Sequence, residues 1–254
     1  HLPEAAIALP LGAVPTDLCV GGDGVLYVAL PGRVLMHDLR RRWDPDEVTE
    51  PGFAPWRLAA HPDGGVWVLE RGSGRLARLM GYPLSSQTPA TDAYAPGVFR
   101  PDPENCRAPA MTVVHDGWGG VAEPIALACH PAGGLLLMGW NTAGQAWVRR
   151  WHEATRTPGP MRLLRGALHA YALTWLSGDR IALRMPGRVD APAFAIDDSA
   201  AGELPALGEV FPLASDRREA PFVHRPEGVA HYPVREDAAE PLFPLALPNL
   251  ARSG

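Results

Sequence analysis

Five side chains with the right types for chemistry stand where apolar, turn-punctuated segments begin: Asp17, Arg57, Glu123, His169 and His224. Carboxylates and imidazoles can carry protons or hold a hard cation such as Ca²⁺ or Zn²⁺. Arg57 works against the second use, because its guanidinium fixes a positive charge beside any metal and only two carboxylates are at hand. The set therefore reads first as a polar, uncatalytic binding mouth with no cofactor. A metal site on Asp17, Glu123 and His169 is the alternative.

Two further groups are candidates for contact rather than for catalysis. Glu70, Arg71, Trp140 and Asn141 fall in loops after short apolar runs, where exposed Trp, Arg and Asn would suit a protein or a glycan. Ordinary loop chemistry competes with that reading, and Trp140 is as well explained by packing between sheets. Tyr94, Phe99 and Trp118 lie in a Pro-, Gly- and Asp-rich insertion, Ser85 to Gly120, whose length suits a docking element. They could equally pin the loop down. His61 and His130 each precede a proline at matching places and read as turn caps. The chain has no Gly-x-Ser-x-Gly elbow and no phosphate loop. Every one of its 23 basic residues is arginine, which excludes lysine-dependent Schiff-base chemistry.

The elements that must position these residues repeat. Asp17 to Leu30, Trp56 to Leu69, Ile125 to Met138 and Tyr171 to Arg184 each read as strand, Gly-rich turn, strand. Gly and Asp take the positive φ that tight turns demand. The turn residues Gly24, Gly64, Gly133 and Gly178 are spaced by 40, 69 and 45 residues. Two of these intervals match a four-stranded propeller blade of roughly 40–45 residues, and the insertion accounts for the third. Third strands are expected at 33–39, 75–79, 146–151 and 192–196. A degraded fifth copy is expected near Phe222, with Glu227-Gly228 as its turn and Val229 to Tyr232 as its second strand. Such meanders bury both faces only by closing into a ring, which the N-terminal Ala5 to Leu9 would zip shut. The expectation is one all-β domain over 1–254: a β-propeller of four-stranded antiparallel blades, five favoured and six possible. The insertion at 85–120 interrupts it and a degraded closing segment fills 198–254. A two-sheet sandwich is the competing fold, but nothing in it calls for a turn every 40 to 45 residues.

Composition supports this architecture. Glycine (27) and proline (28) together reach about twice their usual share, too much for a helical bundle. The net charge of −5 provides no field for nucleic acid, and no apolar run approaches the roughly 20 residues of a membrane span. Three scattered cysteines argue against a disulfide framework or structural zinc, so the cytoplasm is expected. The opening His1-Leu2-Pro3-Glu4, without Met, fits a processed chain or a piece of a longer polypeptide.

The segments Gly22-Asp23-Gly24-Val25-Leu26-Tyr27-Val28-Ala29 and His61-Pro62-Asp63-Gly64-Gly65-Val66-Trp67-Val68 resemble NHL-type propeller repeats. That resemblance covers most of Pro15 to Asp197 and implies architecture more than activity. The stretches Gly32 to Leu35, Arg41 to Trp43, Pro55 to Ala59 and Gly74 to Leu79 are similar to propeller regions of phage-tail-like proteins. That likeness implies a non-catalytic binding or scaffolding module with protein partners in a larger assembly. A metal-dependent hydrolase or lyase of the lactonase type is the alternative, since such propellers place carboxylate, amide and His ligands at strand entrances. A glycan-binding propeller is weaker still.

Overall fold

In the computed structural model, the described residues are 11–21, 23–38, 45–81, 109–118, 124–130, 133–176, 179–188, 192–196 and the strand segments of 212–243. They are all strand, turn and loop, and no helix occurs among them. The chain divides into two compact units, His1–Gly117 and Trp118–Gly254.

The first unit holds two meanders. One sheet runs in order through β1 (Asp17–Val20), β2 (Val25–Leu30), β3 (Arg33–Asp38) and β4 (Asp46–Val48). The other runs through β5 (Pro55–Ala60), β6 (Val66–Glu70), β7 (Leu76–Leu79) and β8 (Met111–His115). Strand alternation sends Val25, Tyr27 and Ala29 of β2 toward one face, where they meet Leu58, Val66, Val68 and Ala77 of the second sheet. Cys19 packs against the same cluster as a small apolar group. β8 corrects the expectation for the insertion. Its residues 111–115 pair with β7 and complete the sheet, so the loop is shorter than 85–120.

The second unit begins with β9 (Pro124–Cys129), β10 (Leu135–Trp140) and β11 (Gln145–His152). One edge of the long β11 is shared by β12 (Thr157–Pro158) and β13 (Arg162–Leu168). A three-stranded sheet follows: β14 (Ala172–Trp175), β15 (Arg180–Arg184) and β16 (Ala193–Ala195). Leu136, Met138 and Val148 from the first of these sheets share one core with Leu173, Trp175, Ile181 and Phe194 from the second. The last sheet runs through β17 (Pro212–Ser215), β18 (Pro221–Arg225), β19 (Gly228–His231) and β20 (Glu240–Phe243).

The expected hairpin near Phe222 exists, with Arg225 paired to Gly228 across its turn. It joins the second and third strands of its sheet, however, because β17 precedes it in the order. Proline and alanine at 212–214 hid that strand. The proposed closing strand Ala5 to Leu9 lies outside the described residues.

Candidate functional site

The first strands β1, β5, β9 and β14 end in the same device, a backbone N–H closing the turn that leads into the second strand. Gly21 donates to Val25, His61 to Gly65, His130 to Gly134 and Leu176 to Arg180. Counting back four residues from these donors gives Asp17, Arg57, Ala126 and Ala172, which are therefore equivalent positions. Of these four positions, the two in the first unit are polar and the two in the second are alanine. The entrance residues Glu123 and His169 each sit three places ahead of the equivalent position, which alanine fills.

Asp17 and Arg57 are brought together. Asp17 Oδ2 accepts the N–H of Leu58 at 2.9 Å, and Oδ1 accepts the N–H of Leu18 at 2.9 Å. Leu58 N–H lies on the open edge of β5, so the carboxylate ties the two sheets together where no ladder partner exists. Burial pushes the Asp17 carboxyl above its ordinary value, against the lowering effect of those two N–H groups and of the Arg57 charge. Arg57 sits on a bulge. Pro55 faces Glu70 and Arg57 faces Leu69, leaving Trp56 as the extra residue in β5. A bulge turns neighbouring side chains out of strict alternation. The Arg57 guanidinium accordingly lies 4.8 Å from the Trp56 ring centroid, and Nη1 donates to the Thr16 carbonyl at 3.4 Å.

The remaining sequence candidates divide clearly. Glu70 is no loop-face contact residue. It is 4% exposed, and its carboxylate accepts from Ala54 N–H at 2.9 Å, from the Ser73 hydroxyl, and from Arg75 Nε at 2.5 Å. Burial alone would raise its pKa, but those hydrogen bonds and the Arg75 charge together hold it below the usual carboxylate range. Arg71 is exposed. Trp140 packs between strands and donates its indole N–H to the Ala170 carbonyl at 2.6 Å. Asn141 Oδ1 accepts the N–H groups of Ala143 and Gln145, so it shapes the β10–β11 turn. His169 holds φ of 51° and stacks edge-on against Trp140 at 5.5 Å, its ring against Gly144 where a Cβ could not fit. Trp118 is buried, with Arg149 over its ring at 5.9 Å; it lies after β8, in the connection to β9, and not in the inserted loop. Glu123, Tyr94 and Phe99, and the side chain of His224, lie outside the described residues. His61 Nδ1 accepts the Asp63 N–H at 3.1 Å, as expected of a turn cap.

Sequence reasoning missed Asp23. Its carboxylate, 4% exposed, accepts Tyr27 Oη–H at 2.6 Å, Gly65 N–H at 2.9 Å and Val25 N–H at 3.2 Å. Burial, and then this bond to Asp23, drives the Tyr27 hydroxyl far above its ordinary pKa. The first sheet's turn is thereby locked into the second sheet's Gly64-Gly65 turn. The available signal was a tyrosine at 27 on the inward face, since a buried hydroxyl needs a partner.

No protein-family model matches the chain, and no curated protein matches it. Solved structures do. A chain of the Nidogen/Laminin complex superposes with a TM-score of 0.56 at 13% identity, over 90% of this chain and 79% of that one. The fold is a β-propeller. A structural-genomics protein described as a gluconolactonase matches this propeller with a TM-score of 0.53 at 12% identity, over 87% and 75% of the two chains. Virginiamycin B lyase from Staphylococcus aureus, in its H270A form with Quinupristin, gives 0.51 at 12% identity, over 94% and 73%. At such identities the likeness speaks to the fold.

A Ca²⁺ or Zn²⁺ ion does not fit the described part of this mouth. Both Asp17 oxygens already accept backbone N–H groups, and Arg57 adds positive charge beside them. Among the described residues, no three His, Cys, Asp or Glu side chains gather as metal ligands.

Proposed function

We infer that this propeller acts on a small organic molecule as a hydrolase or lyase, with the Asp17–Arg57 mouth of the first unit as its ligand-facing site. The observation that carries the reading is the pairing at one equivalent position of a carboxylate with a raised pKa and a guanidinium re-aimed by a bulge. A carboxyl whose proton is held more tightly than usual by burial is suited to proton exchange with a ligand, and a guanidinium can stabilise developing negative charge on oxygen. The propellers described as a gluconolactonase and a lyase lend this reading more support than the scaffold reading receives. The five sheets are read as five blades, each a variant of an NHL-type repeat, in a cytoplasmic protein.

The test is turnover of lactones such as glucono-δ-lactone by the purified chain, with and without added Ca²⁺, Zn²⁺ or Mg²⁺. Ring opening at least tenfold above background, and lost in Asp17→Asn, is expected. No turnover of glucono-δ-lactone or of Quinupristin under any of these conditions rejects the reading.

A second reading rests on a different observation. Val14, Leu18 and Val20 are 82%, 61% and 50% exposed, a run of large apolar side chains on and before β1. Such a strip suits a protein partner, and the phage-tail-like scaffold is its most specific form. Co-purification of the chain with a tail-like assembly, abolished by Leu18→Asp, would favour it.

A further inference from the structure

We propose that Arg57 is a carboxylate-binding residue, so that the ligand of this propeller is an organic acid, or a molecule that becomes one on ring opening. The proposal rests on the Asp17–Arg57 mouth being the ligand-facing site.

The argument is a count of donors. A guanidinium carries five N–H bonds. Arg57 spends one of them, weakly, from Nη1 to the Thr16 carbonyl at 3.4 Å. Nε has no acceptor although it is shielded from water, and Nη2 meets no acceptor among the described residues. Asp17, whose carboxyl feels the Arg57 charge, does not take up this capacity, because its two oxygens are turned to the N–H groups of Leu58 and Leu18. The edge left over is therefore Nε together with Nη2, whose parallel N–H bonds match the two oxygens of a carboxylate.

The surroundings favour the same class. Trp56, the bulged residue, lies against the guanidinium and limits its rotation. A planar fork held on an aromatic ring loses less freedom on binding than a mobile side chain would. Other arginines nearby are already committed. Arg75 is paired to Glu70, and Arg78 donates to the carbonyls of Gly64, Val66 and Leu79. Ala126 and Ala172, at the equivalent positions of two second-unit sheets, carry no such donor, so the fork is a feature of Arg57 in its own repeat.

The experiment is isothermal titration calorimetry of the full chain with D-gluconate and with its neutral amide, alongside the lactone assay. Binding of D-gluconate at least tenfold tighter than the amide is expected. Arg57→Gln should weaken D-gluconate binding tenfold or more, and Arg57→Lys should fall between, keeping the charge and losing the fork. Comparison of acid and amide on the unaltered chain keeps the test decisive should a variant fold poorly. Equal binding of acid and amide, no binding of either at millimolar concentration, or unchanged binding in Arg57→Gln overturns the proposal. Lactone opening that is indifferent to Arg57 would leave the enzyme reading standing without it. Acid binding through Arg57 with no turnover would do the reverse.

Discussion

The first and second units solve one packing problem with different chemistry. Both bring meanders face to face across an apolar core. In the first unit the sheets are also stitched by buried carboxylates, Asp23 reaching Gly65 and Asp17 reaching Leu58. In the second the join is made by apolar side chains around Trp175 and Leu136, while the ion pair of Arg150 with Asp179 at 2.6 Å is solvent-exposed. Carboxylates that accept backbone N–H groups satisfy edges that apolar packing leaves bare. The contrast therefore assigns order and charge to the first unit, where the candidate site is, and simple burial to the second.

The contrast breaks most visibly at Asp23. Asp23→Ala strands Tyr27 Oη–H and the Gly65 N–H in a dry interior, and a loss of about 3–4 kcal/mol is expected by urea denaturation. A loss below about 1 kcal/mol would show that apolar packing alone holds the first unit. Next is the Glu70–Arg75 clamp. The folded Glu70 pKa is depressed, so its contribution is fully present above the unfolded value and disappears as pH falls through the folded one. Glu70→Gln should cost about 2 kcal/mol at neutral pH and flatten the acid limb of the stability profile.

Asp17 has the opposite sign. Its folded pKa is raised, so the folded state binds more protons and this group's contribution to stability falls as pH rises through that window. Asp17→Ala should cost only about 1 kcal/mol at neutral pH, the Leu58 N–H bond being offset by relief of a desolvated charge. Thermal melts over a pH series would show whether the loss instead grows toward alkaline pH, which would sink this assignment. The smallest effect belongs to the second unit. Asp179→Ala removes an ion pair whose side chains are 34% and 60% exposed, and a change within about 0.5 kcal/mol is expected, shrinking further in salt.

Much of this was legible in the residues. Turn chemistry marked the hairpins, since glycines at 24, 64 and 133 do take positive φ. β8 was hidden because a long insertion separates it from β7, and strand pairing at such distance leaves no local pattern. The fifth sheet was found but entered one strand late, because Pro212 blurs the alternation of β17. At the site, Asp17 and Arg57 could be singled out by their place in the repeat. The bulge at Trp56 could not, since an extra residue in a strand alters register without altering composition. Glu70 and Asn141 misled for a related reason: polar loop residues look alike whether they greet a ligand or fasten their own backbone.

The displaced residue recurs. In β9 the partner of Met138 is Ala126 and that of Gly139 is Pro124, so Ile125 is set aside just as Trp56 is. The residues that follow the two displaced ones meet different surroundings: Ala126 is buried in the apolar core, whereas Arg57 is half-buried and carries a charge. One local irregularity of the strand thus delivers a packing methyl in one repeat and a cation in another, the choice being made by a single residue type.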